Sequence, residues 1–141
     1  MKVRRLITDD SALAVAAIQR IKPAQTTTEH VTNFLQRRDH YFIAAIEGDQ
    51  PLGFALAYEL QRIDRSQPML FLYEIGVAAA YQRRGVASAM IDFLKRICKE
   101  KGMFKMFVIA NASNTGALRL YDSTFGETGR DNVVYAISTK T

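Results

Sequence analysis

Met69-Leu70-Phe71-Leu72-Tyr73-Glu74-Ile75-Gly76-Val77, followed beyond Ala78–Tyr81 by Gln82-Arg83-Arg84-Gly85-Val86-Ala87-Ser88, is the stretch on which the fold turns. The first part reads as a central strand interrupted by one carboxylate. Alternation places Glu74 on the face of Leu70, Leu72 and Gly76. A charge there is costly unless it is paired or opens onto a wet cleft. Two readings of Glu74 follow: an ion pair or strand-end exposure, or a general base whose pKa is raised by partial burial.

The second part leaves a loop and starts a helix. The first turn of a helix presents unpaired N–H groups and the positive end of the macrodipole, and together these suit a phosphate. Gly85 lets the backbone approach an oxygen closely, while Ala87 and Ser88 keep the turn uncrowded. Arg83 and Arg84 add charge at the rim, where one of them can pair with phosphate bidentately. A lone glycine before a helix would carry little weight; here basic pair, small residues and preceding strand arrive together.

Working outward, Val3–Leu6 reads as a short strand, and Thr8-Asp9-Asp10-Ser11 supplies N-cap chemistry for a helix to about Ile21, with Pro23 beyond its end. Thr26–Thr28 caps a second helix, with Val31, Phe34 and Leu35 as its apolar stripe. Tyr41–Ile46 and Leu52–Leu60 are strands joined by the hairpin signal Glu47-Gly48-Asp49-Gln50. Arg62–Pro68 connects to Met69–Val77. A helix from Gly85 to Lys101 buries Val86, Met90, Leu94 and Ile97, with Gly102 just past its end. Lys105–Ala110 is a strand and Thr115–Thr124 a helix. Two more strands are expected near Gly126–Arg130 and Val133–Ser138. The order β-α-α-β-β-β-α-β-α-β-β, without repeats or linkers, predicts one α/β (α+β) domain over 1–141: a mixed sheet covered by helices.

The net charge of +5 is unevenly placed. Residues 1–70 carry +1 and residues 71–141 carry +4, and the segment Gln82–Lys105 alone holds +5. A solvated helix face is the ordinary explanation; a phosphate site is the sharper one. The segment has no aromatic stacking platform or reading-helix pattern, so nucleic acid is not the expected partner. One Cys excludes a disulfide framework and a cysteine-rich zinc site, and His30 and His40 have no metal-ligand spacing, so no metal is expected. No apolar run approaches a membrane span of roughly 18 residues, and Met1 is followed by Lys2, Arg4, Arg5, Asp9 and Asp10 rather than a signal sequence. A cytoplasmic, reduced protein is expected. Cys98 reads as a small buried apolar residue.

Gln82-x-x-Gly85-x-Ala87 resembles the Q/R-x-x-G-x-G/A signature of the GCN5-related N-acetyltransferase (GNAT) superfamily, with the strand before it and the helix after it where that family has them. The deduced order of elements matches the superfamily over essentially the whole chain, with a mostly antiparallel central sheet and about four helices. Leu60–Tyr121, with Leu72–Val77, Arg83–Ala87 and Ala117–Tyr121 in it, is most similar to the small aminoglycoside 3-N-acetyltransferases. The resemblance implies a fold in which the strand at 69–77 splays from the strand at 105–110. The coenzyme A arm would lie in the gap, paired with backbone of Ile75, Gly76 and Val77. The pyrophosphate would sit on Gln82, Arg83, Arg84, Gly85, Val86, Ala87 and Ser88.

It also implies that Asn114 bonds the coenzyme arm and that Tyr121 acts as general acid at the coenzyme sulfur; read alone, Tyr121 is equally a helical core tyrosine. The expected activity is direct acetyl transfer from acetyl-CoA to a primary amine of a small molecule. An aminoglycoside amine is one such acceptor, and Glu74, directly or through water, is the candidate base. Two alternatives stand beside it: acetylation of a peptide or protein amine, and a non-catalytic coenzyme A-binding sensing module. Glu59 and Asp64 are candidate acceptor residues or plain surface acids. Family habit implies a homodimer. One departure stands out: relatives place Gly then an apolar residue four and five positions after the tyrosine, whereas here Phe125 precedes Gly126, which bears on the acceptor side of the pocket.

Overall fold

The structure is a computed structural model that describes residues 1–23 and 25–139. It contains two compact units, Met1–Ile109 and Ala110–Thr141. In the first unit the chain runs β1 (Lys2–Arg5), α1 (Ser11–Ile21), α2 (Thr28–Gln36), β2 (His40–Glu47), β3 (Gln50–Leu60), β4 (Met69–Val77), α3 (Val86–Glu100) and β5 (Lys105–Val108). The five strands form one sheet in sequence order. Neighbours are antiparallel except β4 and β5, which are parallel and therefore need the α3 crossover between them.

Local chemistry accounts for the boundaries. Thr27 caps α2 by accepting the His30 N–H at 3.1 Å. Glu47 pairs with Gln50 across the tight turn Gly48-Asp49, where Gly48 holds φ at +61°. At the far end of α3, Gly102 takes φ +65° beyond the last turn. Ahead of α1, Asp10 receives both guanidinium nitrogens of Arg4 at 3.0 Å and the Ile7 N–H at 2.8 Å, which holds its carboxyl below the ordinary carboxylate range.

The sheet has a buried layer on each face. On one, Phe42, Ala44, Ile46 and Phe54 pack with Ala14 and Ala17 of α1 and Val31 and Leu35 of α2. On the other lie Val86, Met90, Ile91, Leu94 and Ile97 of α3, all buried. Gly53 shows how closely α3 approaches: a Cβ there would stand 3.0 Å from the Met90 methyl and 2.8 Å from the Gly76 carbonyl.

The second unit holds α4 (Thr115–Thr124). The two strands expected near Gly126–Arg130 and Val133–Ser138 do not form: among the described residues, 126–139 join no ladder. Val133, Val134, Tyr135 and Ile137 are instead largely exposed. A strand-like sequence becomes a strand only against a partner edge. The expected mixed, mostly antiparallel sheet and four helices are otherwise present.

Candidate active site

The loop at 78–85 is built to leave backbone donors open. After β4 the chain makes one tight 3-10 turn, Ala79–Tyr81, and the Gln82 side-chain amide donates to the Val77 carbonyl at 3.1 Å, tying the loop to the strand end. Arg83 adopts φ +64° and Gly85 φ +80°, both left-handed. A Cβ on Gly85 would meet nothing within 4 Å, so space stands open over the backbone where α3 begins. No side chain caps this helix start, and the N–H groups of Val86, Ala87 and Ser88 have no partner within the helix. Buried Val86 anchors the turn, while Arg83 and Arg84 are exposed at its rim. Tyr81 lies between Arg84 and Arg20, 5.6 and 5.8 Å from their guanidinium carbons. Open donors, small residues and two exposed cations fit a pyrophosphate.

The strand leading into this loop has a free edge. β5 pairs with β4 only from Met69 to Leu72, whereas β3 pairs along it to Val77. On the β5 side, Tyr73–Val77 therefore has no strand partner among the described residues. An extended chain can add to such an edge as one more strand. Ile75, Gly76 and Val77 lie on this unpaired stretch, continuous with the loop.

Glu74 is not where simple alternation puts it. Glu74 pairs with Leu56 and Leu72 with Ala57, so Tyr73 is an extra residue, a β-bulge. The bulge reverses the side-chain sequence. Leu70 and Leu72 are fully buried under α3, whereas Glu74 and Gly76 turn to the α1 face. There Ile21 approaches a would-be Gly76 Cβ at 2.7 Å, and Lys22 Nζ lies 2.5 Å from Glu74 Oε2. The placement of Glu74 with Leu70 and Leu72 is thus corrected. Its side chain is 28% exposed and that of Lys22 45%. Of the two readings of Glu74, the ion pair is the one observed, and it stands beside an open strand edge.

Beside Glu74 runs a row of rings that reading the sequence did not bring together. Phe34, His40, Tyr58, Tyr73, Phe71 and Phe107 follow one another with centroid separations of 4.5, 4.9, 5.6, 5.8 and 4.8 Å. Burial, then the nearby Tyr73 and Glu74, push the Tyr58 hydroxyl above its ordinary range. Burial holds His40 below its usual value, and its Nδ1 is buried without a hydrogen-bond partner. Period-two counting hid this row, since the bulge brings Phe71 and Glu74 to one face although three positions separate them.

The proposed acceptor acids are engaged elsewhere. Glu59 accepts from the Tyr41 hydroxyl at 2.8 Å and from Gln61 at 3.0 Å. Asp64 is held by Arg62 at 2.9 and 2.7 Å in the β3–β4 connection. The structure brings neither to Glu74. Cys98 is half-buried on α3, and burial pushes its thiol up to about 11, leaving it protonated at neutral pH and a poor nucleophile. His30 is exposed on α2.

In the second unit, Asn114 caps α4, its side-chain oxygen accepting the Ala117 N–H at 3.0 Å. Tyr121 sits edge-on to Phe125 at 5.7 Å, and burial raises its hydroxyl pKa, so it holds its proton firmly. Phe125 ends the helix, its N–H donating to the Tyr121 carbonyl at 2.8 Å.

Among the described residues no cluster of three His, Cys, Asp or Glu is placed to hold a metal ion, and no helix is long and apolar enough to cross a membrane. The model of the acetyltransferase (GNAT) family matches residues 12–126. The chain is 26% identical over 116 residues to the [ribosomal protein bS18]-alanine N-acetyltransferase of Escherichia coli K12, covering 73% of this chain and 77% of that protein. An aminoglycoside acetyltransferase (meta-AAC0020) from an uncultured soil metagenomic sample, in complex with sisomicin, has a TM-score of 0.92 at 23% identity over 99% of this chain and 96% of its own. Aminoglycoside N-acetyltransferase AAC(6′)-Iy in complex with CoA has a TM-score of 0.78 at 19% identity, over 99% and 100%. At those identities the two structures show likeness of fold. The family match spans most of the chain, and with it this chain belongs to the acetyltransferase (GNAT) family and is an N-acetyltransferase.

Proposed function

We propose that the chain transfers an acetyl group from acetyl-CoA directly to a primary amine of a small molecule through a tetrahedral intermediate. One observation carries this reading: the unpaired edge of β4 runs without interruption into a loop with open backbone donors and two arginines. The edge at Ile75, Gly76 and Val77 would hold the arm as an added strand. Gln82–Ser88 would hold the pyrophosphate, and Asn114 would bond the arm.

An amine is mostly protonated at neutral pH, so it must lose a proton before attack. Glu74 takes that proton, directly or through water, and Tyr121 gives one to the departing sulfur. The role of Tyr121 comes from its match to the family's tyrosine and is supported by a hydroxyl that keeps its proton. Backbone N–H groups near β4 would stabilise the oxyanion. The family match runs across both compact units, which supports reading residues 1–141 as one catalytic domain. Exposed Val133, Val134, Tyr135 and Ile137 support a homodimer.

A peptide or protein amine is the second acceptor class, favoured by the likeness to the ribosomal-protein acetyltransferase. Acetyl-CoA-dependent thiol release over aminoglycosides, polyamines, amino acids and peptides tests both. Tyr121→Phe should lower kcat by about 10- to 100-fold with coenzyme affinity little changed, and Glu74→Gln should lose the acidic limb of the pH–rate profile. Tight acetyl-CoA binding with silence on every amine would sink the transferase reading. A surviving acidic limb would place the base elsewhere.

A further inference from the structure

The ring row beside Glu74 holds four rings that the sheet pairs, Phe34 contributed by α2, and Tyr73. His40 with Tyr58, Tyr58 with Phe71, and Phe71 with Phe107 are direct cross-strand partners, the usual currency of sheet stability. Tyr73 has no such partner. It is the bulged residue, it is 58% exposed, and its ring stands edge-on to Tyr58 at 5.6 Å and to Phe71 at 5.8 Å. Its chain neighbour is Glu74, whose carboxylate already holds a primary ammonium, that of Lys22, at 2.5 Å. Lys22 is partly exposed on a flexible stem, so its ammonium can be displaced by another.

We propose that the acceptor is a singly charged primary amine carrying a flat, apolar group within a few bonds of its nitrogen. Its ammonium replaces Lys22 Nζ on Glu74, and its flat group lies on Tyr73 and Tyr58. The charges argue for one positive centre. Glu74 is the carboxylate that bears on Tyr58, and Asp39, beside His40 in the row, is engaged by Arg37 at 3.5 Å and lies 3.9 Å from His40 Nε2. Lys22 would repel additional ammonium groups once displaced. A polycation such as an aminoglycoside needs several carboxylates, whereas an aromatic surface rewards a flat apolar body and tolerates a single cation over its face.

The inference rests on the acetyltransferase reading and narrows its acceptor. Its test compares 2-phenylethylamine, ethylamine, spermidine and sisomicin as acceptors for the full chain, by thiol release from acetyl-CoA, with acetyl-CoA binding measured separately by calorimetry. The expected kcat/KM for 2-phenylethylamine exceeds that for each of the others by about tenfold or more. Tyr73→Ala should raise the KM for 2-phenylethylamine by a similar factor with the acetyl-CoA Kd moved less than about twofold, and Tyr73→Phe, which keeps the ring, should restore it. Preference for sisomicin or spermidine, parity between ethylamine and 2-phenylethylamine, or an indifferent Tyr73→Ala would each overturn the inference while leaving acetyl transfer standing. Acetyl-CoA binding without turnover of any amine would bring down the underlying reading as well.

Discussion

His40 links the ring row to folding stability, because it is packed between Phe34 and Tyr58 with Nδ1 buried and unpartnered. Protonation would place a charge in that packing. Burial depresses its pKa most, the Asp39 carboxylate opposes that effect, and Arg37 reinforces it. With the folded pKa below the unfolded one, the contribution of His40 to stability is fully present above the unfolded value of about 6.5 and fades as pH falls below it. Urea midpoints should therefore fall between about pH 7 and pH 5. In His40→Phe, which keeps a ring but cannot titrate, the fall should be smaller. An identical fall in both proteins would show that His40 charges without cost. The same scale shows what a sequence withholds. The glutamate of the 69–77 stretch was recognisable as chemistry, but its partner Lys22 stands 52 positions away, and nothing local in either segment announces the pair.

Elements were legible where local chemistry decides them and illegible where pairing does. Thr115–Thr124, the hairpin at Gly48-Asp49, and the start of α3 after Gly85 follow from caps, turns and periodicity, and all are observed. The bulge at Tyr73 was invisible, since a nearly continuous apolar run carries no mark of an extra residue. The C-terminal strands failed for the converse reason: Val133–Ser138 has strand composition without a strand partner. Two glycines flanking α3 share one conformation, and the proposed coenzyme site gives only one of them a second use. Gly85 and Gly102 bracket the helix with φ of +80° and +65°, and a Cβ on either would meet nothing within 4 Å. Substituting Ala at either position should cost stability by about 1 kcal/mol through left-handed strain alone. Only Gly85→Ala adds a methyl over the open N–H groups of Val86–Ser88, so it alone should weaken coenzyme A, by about tenfold if one hydrogen bond to a phosphate is lost. Thermal melts and calorimetry on both variants check this. Equal affinity losses would show that strain transmitted through α3, rather than space at the loop, controls binding.

At the scale of the whole molecule the question is which of its charges a coenzyme feels. The segment Gln82–Lys105 holds as much positive charge as the entire chain, yet it is spread along a fifteen-residue helix. At 1.5 Å per residue, Lys95 lies about 14 Å and Lys99 about 20 Å along α3 from Val86. Both are exposed. The Debye length is about 10 Å at 0.1 M salt, so charges at those distances are largely screened from a phosphate at the helix start. Arg83 and Arg84, within the loop itself, are not. Coenzyme A affinity should therefore weaken as salt rises from about 0.05 to 0.5 M, over which the Debye length shortens severalfold. Removing both loop charges, Arg83→Gln with Arg84→Gln, should flatten that dependence, whereas Lys95→Gln with Lys99→Gln should leave its slope nearly unchanged. Pantetheine, which lacks the phosphates, should show almost no salt dependence with any of the proteins. If the helix lysines proved to set the slope, the phosphates would be reading the field of the whole basic face, and the loop would be reduced to a steric cradle.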